Sequence, residues 1–205
     1  MGRHSRSVSG TQGYAEDAET LAAKYESVSF AEVHRETLQY FPPPPRQILD
    51  IGAGTGRDAA ALAAMGHAVL AVEPSSELRR LGQRLHREQT IAWLDDALPE
   101  LSQVRARGDR FDLVLLSAVW MHLDAEERRA AMPRVAGLVH ASGRIIMSLR
   151  HGPVPAGRRM FDVSVGETEH LARQSGLCVA HRCERAALLS RSDVRWTCLV
   201  LTVDT

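Results

Sequence analysis

The chain has 205 residues, enough for one domain with a substantial core and too few for two of ordinary size. Its hydrophobic content of 44% is typical of a soluble globular protein, and its 25 basic residues balance its 25 acidic ones. This balance excludes a chain-wide basic field that would hold nucleic acid, and no apolar run reaches the length of a membrane span. Three cysteines without a CxxC pair predict reduced thiols, a cytoplasmic protein and no metal site.

The N-terminal 41 residues divide into an arm and two predicted helices. Residues 1–13 are basic and serine-rich but lack the apolar segment of a secretory signal, so they predict a disordered arm. Residues 14–27 predict a polar helix. A second helix follows Ser29 and Glu32, which have the spacing of a capping box, and we expect it to continue to the four prolines at 42–45. Residues 42–205 then form the main domain.

Beyond the prolines, strand and helix patterns alternate almost to the end of the chain. The predicted strands are QILDI, HAVLAVE, TIAWL, FDLVLLSA, RIIMSL, LCVAHRCE and VRWTCLVLTV, which begin at residues 47, 67, 90, 111, 144, 177 and 194. The predicted helices are RDAAALAAM, SSELRRLGQRL, DAEERRAAMPRVAGLV and SVGETEHLARQSG, which begin at residues 57, 75, 124 and 164. Pro133 predicts a kink or break in the third of these helices, and residues 142–143 predict a turn before the fifth strand.

This alternation predicts the fold class. Repeated strand–helix units are typical of a parallel sheet with helices on both faces. The last two strands follow one another without a helix, so they should pair antiparallel. We therefore expect an α/β fold with a seven-stranded, mixed but mostly parallel, doubly wound sheet that ends in an antiparallel hairpin.

A glycine-rich segment, ILDIGAGTGRD, covers residues 48–58. Ligands of doubly wound sheets bind at the carboxyl ends of the strands, where glycines let the backbone approach them. A dinucleotide fingerprint reads GxGxxG, but the third glycine position counted from Gly52 and Gly54 is Arg57. Asp50 would also be a poor neighbour for a pyrophosphate, whereas it suits a ligand with an ammonium and a sulfonium.

This segment resembles the first motif of class I S-adenosylmethionine (SAM) dependent methyltransferases, in particular the small-molecule enzymes with methyltransferase 11/25-like domains. The resemblance continues through WLDDALPEL, FDLVLLSAVWMHL and LVHASGRIIMSLR and covers roughly residues 46–201. It implies a Rossmann-like sheet, SAM as the cofactor and S-adenosylhomocysteine (SAH) as the product.

The resemblance also implies which residues hold the cofactor. By position they are Tyr14, Tyr25, Asp50, Gly52, Ala53, Gly54, Thr55, Gly56, Arg57, Asp58, Glu73, Pro74, Asp95, Asp96, Ala97, Ser117 and Ala118. Asp50 would support the ammonium group, Glu73 would accept both ribose hydroxyls, and either Asp95 or Asp96 would meet the adenine amino group. A tyrosine of residues 14–41 would close over the methionine end, so these helices are expected to act as a lid. The alternatives are a solvated strand end for Glu73, a surface turn for the two aspartates and helix packing for the tyrosines.

The fourth strand is followed by the candidate catalytic residue, His122. Histidine can accept a proton near neutral pH, and a general base is needed where the acceptor arrives as a hydroxyl or ammonium. The alternative is that His122 caps or packs against the next helix. Trp120 and Met121 beside it would form a substrate wall or fill the core.

The loop after the fifth strand, RHGPVPAGRRMF, is rich in basic residues. Arg150, His151 and Arg158 are its candidate substrate-binding residues, because arginine suits the binding of carboxylate or phosphate. The loop predicts a small anionic acceptor, with a solvated basic loop as the alternative.

The leading hypothesis is therefore a SAM-dependent methyltransferase that transfers a methyl group to a small acceptor by in-line displacement. Two alternatives are a non-catalytic SAM-binding regulator and, less favoured by Arg57, a nicotinamide-dependent oxidoreductase. The pattern predicts neither a nucleic-acid nor a membrane partner, and it leaves the acceptor atom and the oligomeric state open.

Overall fold

A computed structural model describes residues 17–188 and 193–204, and the predicted arm, residues 1–13, lies outside these ranges. The strands among the described residues are β1 Gln47–Ile51, β2 Ala68–Val72, β3 Ile91–Leu94, β4 Phe111–Leu116, β5 Val139–His151, β6 Leu177–Ala186 and β7 Arg195–Val203. The α-helices are α1 Ala18–Glu26, α2 Phe30–Val33, α3 Arg57–Ala64, α4 Ser76–Leu85, α5 Ser102–Ala106, α6 Ala125–Ala136 and α7 Val165–Gln174. Short 3-10 turns lie at Leu38–Tyr40 and Trp120–His122. No helix in these two ranges is long and apolar enough to span a membrane.

The strands form one sheet in the order β3-β2-β1-β4-β5-β7-β6. Strands β1 to β5 are parallel, and β7 pairs antiparallel with both β5 and β6, so the predicted fold class is confirmed. The connections reverse direction between β1 and β4, which is where doubly wound folds bind ligands. The strand bodies are apolar because helices or further chain cover both faces: Val114 and Leu116 pack in one cluster, and Leu113 and Leu115 pack in the other.

Three predicted helix starts are confirmed by their caps. The Ser75 hydroxyl accepts a hydrogen bond from the Leu78 N–H at the start of α4. Asp124 and Glu127 form a reciprocal capping box at the start of α6. The Ser164 hydroxyl accepts from the third backbone N–H of α7. These caps are local, so the sequence specifies where the helices begin.

The second predicted helix is much shorter than expected. Its capping box is present, but α2 ends after Val33, and the N–H and hydroxyl of Thr37 both donate to the His34 carbonyl. The His34 ring is held by a 2.9 Å contact with the carboxylate of Asp58 in α3. We infer that this tertiary contact favours a turn at His34 over a longer helix.

The predicted turn at residues 142–143 is wrong, and a break at Pro133 is absent. Helix α6 runs unbroken through Pro133, which lies with Arg129 on its exposed side, so the hydrogen bond that proline removes is on the solvent face. Residues 142–143 lie inside β5, in an irregular stretch between the pairs Phe111–Val139 and Leu113–Arg144.

Candidate functional site

A cavity of about 830 Å³ lies at the carboxyl ends of the parallel strands. Its lining includes the glycine loop after β1, the ends of β2, β3 and β4, helix α1, the loop after β5, and the β6–β7 hairpin. Because parallel strands end at the same edge of the sheet, the polar residues predicted after each strand come together here.

The glycine loop, residues 52–56, is shaped by backbone that other residues adopt poorly. Gly52 has φ +69°, and its N–H donates to the Val72 carbonyl at 2.8 Å. A Cβ atom on Gly52 would lie 2.5 Å from Val119 Cγ2, closer than any side chain allows. Gly56 has φ +83°, and a Cβ atom on it would lie 2.6 Å from the Trp93 ring. The loop is therefore pressed between the β4–α6 connection and β3, which leaves its other side to the cavity.

Two buried carboxylates flank the glycine loop and line the cavity. The oxygens of Glu73, which is 5% exposed, accept hydrogen bonds of 2.8 Å from the N–H groups of Gly54 and Ser75. Burial raises the pKa of Glu73 to about 7. Asp50 is 2% exposed, and its Oδ2 has no hydrogen-bond partner among the described residues. Burial, and then repulsion by Asp58, raises the pKa of Asp50 well above its ordinary value.

The two adjacent aspartates after β3 have different surroundings. Asp96 lines the cavity together with Ala97. Its carboxylate accepts hydrogen bonds from the Ala97 N–H at 2.9 Å and from two N–H groups of α5, at 2.8 and 2.9 Å. Asp95 is not among the lining residues; its carboxylate lies 2.9 Å from Arg79 and is 64% exposed. The structure therefore brings Asp96 to the site and leaves Asp95 on the surface.

The N-terminal helix is attached to the glycine loop. Tyr25 lines the cavity, 3.7 Å from where a Cβ on Gly54 would stand, and Tyr14 lies outside the described residues. The Thr55 hydroxyl donates to Glu26 at 2.6 Å, and Arg57 Nη1 donates to the Tyr25 carbonyl at 3.3 Å.

A buried ion cluster supports the same attachment. Asp58, which is 4% exposed, lies 2.9 Å from His34 Nε2 and 2.8 Å from Arg57 Nε. Burial by itself would raise the pKa of Asp58, but His34 and Arg57 hold it well below its ordinary value. Arg57 and Asp58 line the cavity, and they also bind α1 and α2 to α3.

The segment after β4 contributes the centre of the cavity. Ser117 and Ala118 line it, and Ala118 has φ +59° with its N–H donating to Ser148 Oγ at 2.8 Å. Met121 and His122 also line it. Trp120, by contrast, is fully buried in the core and is not among the lining residues, so of its two predicted roles the structure supports core filling and not a substrate wall. It lies in a 3-10 turn, where consecutive side chains point about 120° apart.

The imidazole of His122 is held in one orientation. Its Nδ1 lies 3.0 Å from the Arg159 carbonyl, which only accepts, so Nδ1 carries the proton and Nε2 is the basic nitrogen of the neutral ring. Burial lowers the pKa of His122, and the nearby Arg158, Arg159 and Arg150 lower it further.

Of the three predicted basic residues, Arg150 and His151 are the last residues of β5 and Arg158 lies in the loop after it; two of them reach the cavity. Arg150 and Arg158 line it, whereas His151 is not among the lining residues and contacts Thr197 Oγ1 at 2.8 Å. Consecutive strand residues point to opposite faces, so the strand cannot present both Arg150 and His151 to one site. Arg150 donates to the carbonyls at 152 and 153, at 3.0 and 2.7 Å, and Arg158 pairs with Asp17 at 2.9 Å.

Sequence reasoning missed several residues that shape the site. Glu26 and Val119 contact the glycine loop, and Arg185 lines the cavity from the last hairpin. Gly82 lets α4 approach the loop, because a Cβ there would stand 2.5 Å from the Thr55 carbonyl oxygen. A glycine in the middle of a helix indicates that another segment approaches the helix closely, so Gly82 could have been found from the sequence. No pattern in the sequence indicates that Glu26 or Arg185 belongs to the site.

The comparisons with known proteins agree with this geometry. A family model described as a methyltransferase domain matches residues 48–143. An uncharacterized methyltransferase of Mycobacterium tuberculosis is 32% identical over 104 residues, which are 51% of this chain and 40% of that protein. The chain thus spans less than half the length of the curated relatives it matches.

Solved structures show the same fold. A TehB-like SAM-dependent methyltransferase from Corynebacterium glutamicum superposes with a TM-score of 0.67 and 21% identity, covering 92% of this chain and 99% of that one. The 1,6-didemethyltoxoflavin-N1-methyltransferase of Burkholderia thailandensis gives a TM-score of 0.66 and 21% identity, covering 94% of this chain and 84% of that one. The matched methyltransferase domain covers just under half of this chain, and with the sheet order and the glycine loop it makes the chain similar to class I S-adenosylmethionine-dependent methyltransferases.

Proposed function

We propose that the protein binds SAM in this cavity and catalyses transfer of its methyl group to a small acceptor. The observation that carries the proposal is the pair of buried carboxylates, Asp50 and Glu73, on either side of the glycine loop. Asp50 Oδ2 is buried without a hydrogen-bond partner among the described residues, and an ammonium group would supply one. SAM carries such a group in its methionine portion.

The other residues of the site fit the same cofactor. The Glu73 carboxylate has two oxygens that already accept from backbone N–H groups and have further lone pairs for the ribose hydroxyls. Asp96, Ala97 and Leu98 line the part of the cavity at the end of β3, which suits the adenine. Tyr25 and the glycine loop would enclose the methionine portion.

When bound, SAM supplies an electrophilic methyl group on a sulfonium. The protein's own contribution is to hold the acceptor in line, to exclude water, and to take a proton where the acceptor carries one. We assign the last task to Nε2 of His122, because Nδ1–H is held by the Arg159 carbonyl. Because its pKa is lowered, this imidazole is neutral at pH 7 and can accept a proton.

A small acceptor is supported by the size and enclosure of the cavity. A volume of about 830 Å³ lies within the range of small-molecule and cofactor sites, and the Arg158–Asp17 pair joins the loop after β5 to the N-terminal helix beside it. The B. thailandensis enzyme was crystallised with 1,6-didemethyltoxoflavin and SAH, a small acceptor and the spent cofactor. Arg150 and Arg158 on the cavity wall support the more specific proposal of an anionic acceptor.

Calorimetric titration of the purified protein with SAM, SAH and NAD tests the cofactor proposal. We expect micromolar binding of SAM and SAH and none of NAD. Asp50→Asn should weaken SAH binding at least tenfold but leave adenosine, which has no ammonium group, unaffected. Asp95→Asn is the matched control, since that carboxylate lies outside the cavity.

The remaining outcomes separate the alternatives. Binding of NAD alone would favour an oxidoreductase and overturn the proposal. SAM binding without SAH release from a broad panel of small hydroxyl, amine, thiol and carbon acceptors would favour a SAM-binding regulator.

A further inference from the structure

Three residues form a row across the antiparallel end of the sheet: Arg150 in β5, Trp196 in β7 and Arg185 in β6. The strand register pairs Arg150 with Trp196, and Trp196 with Arg185. Directly opposed residues of antiparallel strands project from the same face. All three residues line the cavity, so it presents an indole with an arginine on either side.

The two arginines differ in their hydrogen bonds. Arg150 donates from both terminal nitrogens to the carbonyls of Gly152 and Pro153, and so holds the loop after β5. The guanidinium carbon of Arg185 lies 5.2 Å from the centre of the Trp196 ring, and its Nε is buried without a hydrogen-bond partner among the described residues. A buried donor without a partner is costly, so a ligand that accepts from Arg185 would gain the full value of that hydrogen bond.

The surroundings of this row combine positive charge with apolar surface. Val194 and Met160 line the same cavity as Trp196 and add apolar surface to it. Asp17, which also lines the cavity, is paired with Arg158. Among the described lining residues from Arg150 onward, Arg150, Arg158 and Arg185 are basic and Asp193 alone is acidic.

We propose that this row is the acceptor subsite and that it selects a planar aromatic acceptor bearing a carboxylate or phosphate. Arg185 binds the anionic group and Trp196 packs against the ring, while Arg150 fixes the loop that covers them. The proposal rests on the proposed methyltransferase function. It makes Arg185 a specificity-determining residue, separate from the groups that hold the cofactor.

The test measures binding of aromatic probes to the full chain saturated with SAH, by calorimetry. The probes are 1-naphthoate, 1-naphthyl phosphate and the uncharged 1-naphthamide. We expect at least one anionic probe to bind tenfold or more tightly than the amide, and comparison of the two distinguishes a carboxylate from a phosphate site. Arg185→Gln should abolish that preference and leave SAH affinity unchanged, whereas Trp196→Leu should weaken all three probes.

Arg182→Gln is the matched control, because Arg182 lies on the same strand, is 53% exposed, pairs with Glu169 and does not line the cavity. If Arg185→Gln does not fold, the preference of the wild-type protein decides. Failure of SAH to bind the wild-type protein would overturn the proposed function itself. If SAH binds, then equal affinity for the three probes, absence of probe binding, or an undiminished preference in folded Arg185→Gln would overturn only the acceptor subsite.

Discussion

The carboxylate of Glu26, at the end of helix α1, accepts a 2.6 Å hydrogen bond from the hydroxyl of Thr55 in the glycine loop. The same carboxylate lies 3.2 Å from His86 Nε2, just beyond α4. Burial by itself would raise the pKa of Glu26, but hydrogen bonds from His86 and Thr55 lower it, so the group is ionised at neutral pH. Glu26 thus joins the N-terminal helix, the glycine loop and α4 at one point beside the cavity.

Thr55→Val should weaken cofactor binding by disconnecting this helix. The substitution keeps the side-chain volume but removes the hydroxyl that Glu26 accepts from, at a cost of about 1–3 kcal/mol for a partly buried polar group left short of a partner. We expect the Kd for SAH to rise at least fivefold in a calorimetric titration. Arg84→Gln, which breaks the exposed pair with Glu19, should leave the Kd unchanged. Equal affinity of Thr55→Val and wild type would mean that the helix does not support the cofactor site.

SAH affinity should rise with pH across neutrality because of Glu73. Its pKa of about 7 in the ligand-free protein means that the carboxyl is largely protonated at pH 6 and ionised at pH 8. The ionised form accepts from ribose hydroxyls, so the Kd should fall by roughly tenfold per pH unit below pH 7 and level off above it. Glu73→Gln should show weaker binding at pH 8 and lose this component of the pH dependence. Glu100→Gln, at an exposed carboxyl paired with Arg134, serves as the control and should keep the wild-type pH profile. If the Kd for SAH of Glu73→Gln changed with pH as steeply as that of the wild type, Glu73 would not be the origin of the pH dependence.

His122→Asn should reduce turnover without reducing cofactor affinity. If His122 is the general base, its loss costs about 10²–10⁴-fold in kcat, while the Kd for SAH stays within twofold. Because burial and nearby arginines lower the pKa of His122 below 6.5, kcat/KM for the acceptor at saturating SAM should be flat from pH 7 to 8 and fall only at lower pH. His170→Asn changes an exposed histidine of α7 and should behave as wild type. An unchanged kcat in His122→Asn, measured by SAH release, would exclude the general-base role.

Gly52→Ala should abolish cofactor binding and lower the melting temperature. The residue has φ +69°, and the added methyl would lie 2.5 Å from Val119 Cγ2, so both strain and a clash arise. Gly108→Ala separates the two effects, since Gly108 has φ +71° but nothing within 4 Å of its Cβ position. It should destabilise modestly and leave SAH binding intact. Adding Val119→Ala to Gly52→Ala should recover part of the loss; full SAH affinity in Gly52→Ala alone would contradict the close contact.

The sequence alone determined the sheet and most helix starts. These features depend on local patterns: apolar runs form strands, and Ser75 and Asp124 cap the helices that follow them. Three alternating glycines after a strand allow the positive φ angles of the glycine loop. The carboxyl ends of parallel strands meet at one edge of a sheet, so the strand pattern was sufficient to assign the polar residues after each strand to one site.

Only the tertiary structure decided which side chains reach that site. Of two adjacent aspartates, Asp96 faces the cavity because its carboxylate caps α5, a helix that begins six residues later. The side chain of Trp120 is buried in the core. Arg185 lines the cavity because it pairs with Trp196 in the strand register, and no local pattern specifies that register. The physical reason is that local patterns are set by neighbours along the chain, whereas capping partners, register and the Glu26–Thr55 contact depend on segments that meet only when the core is packed.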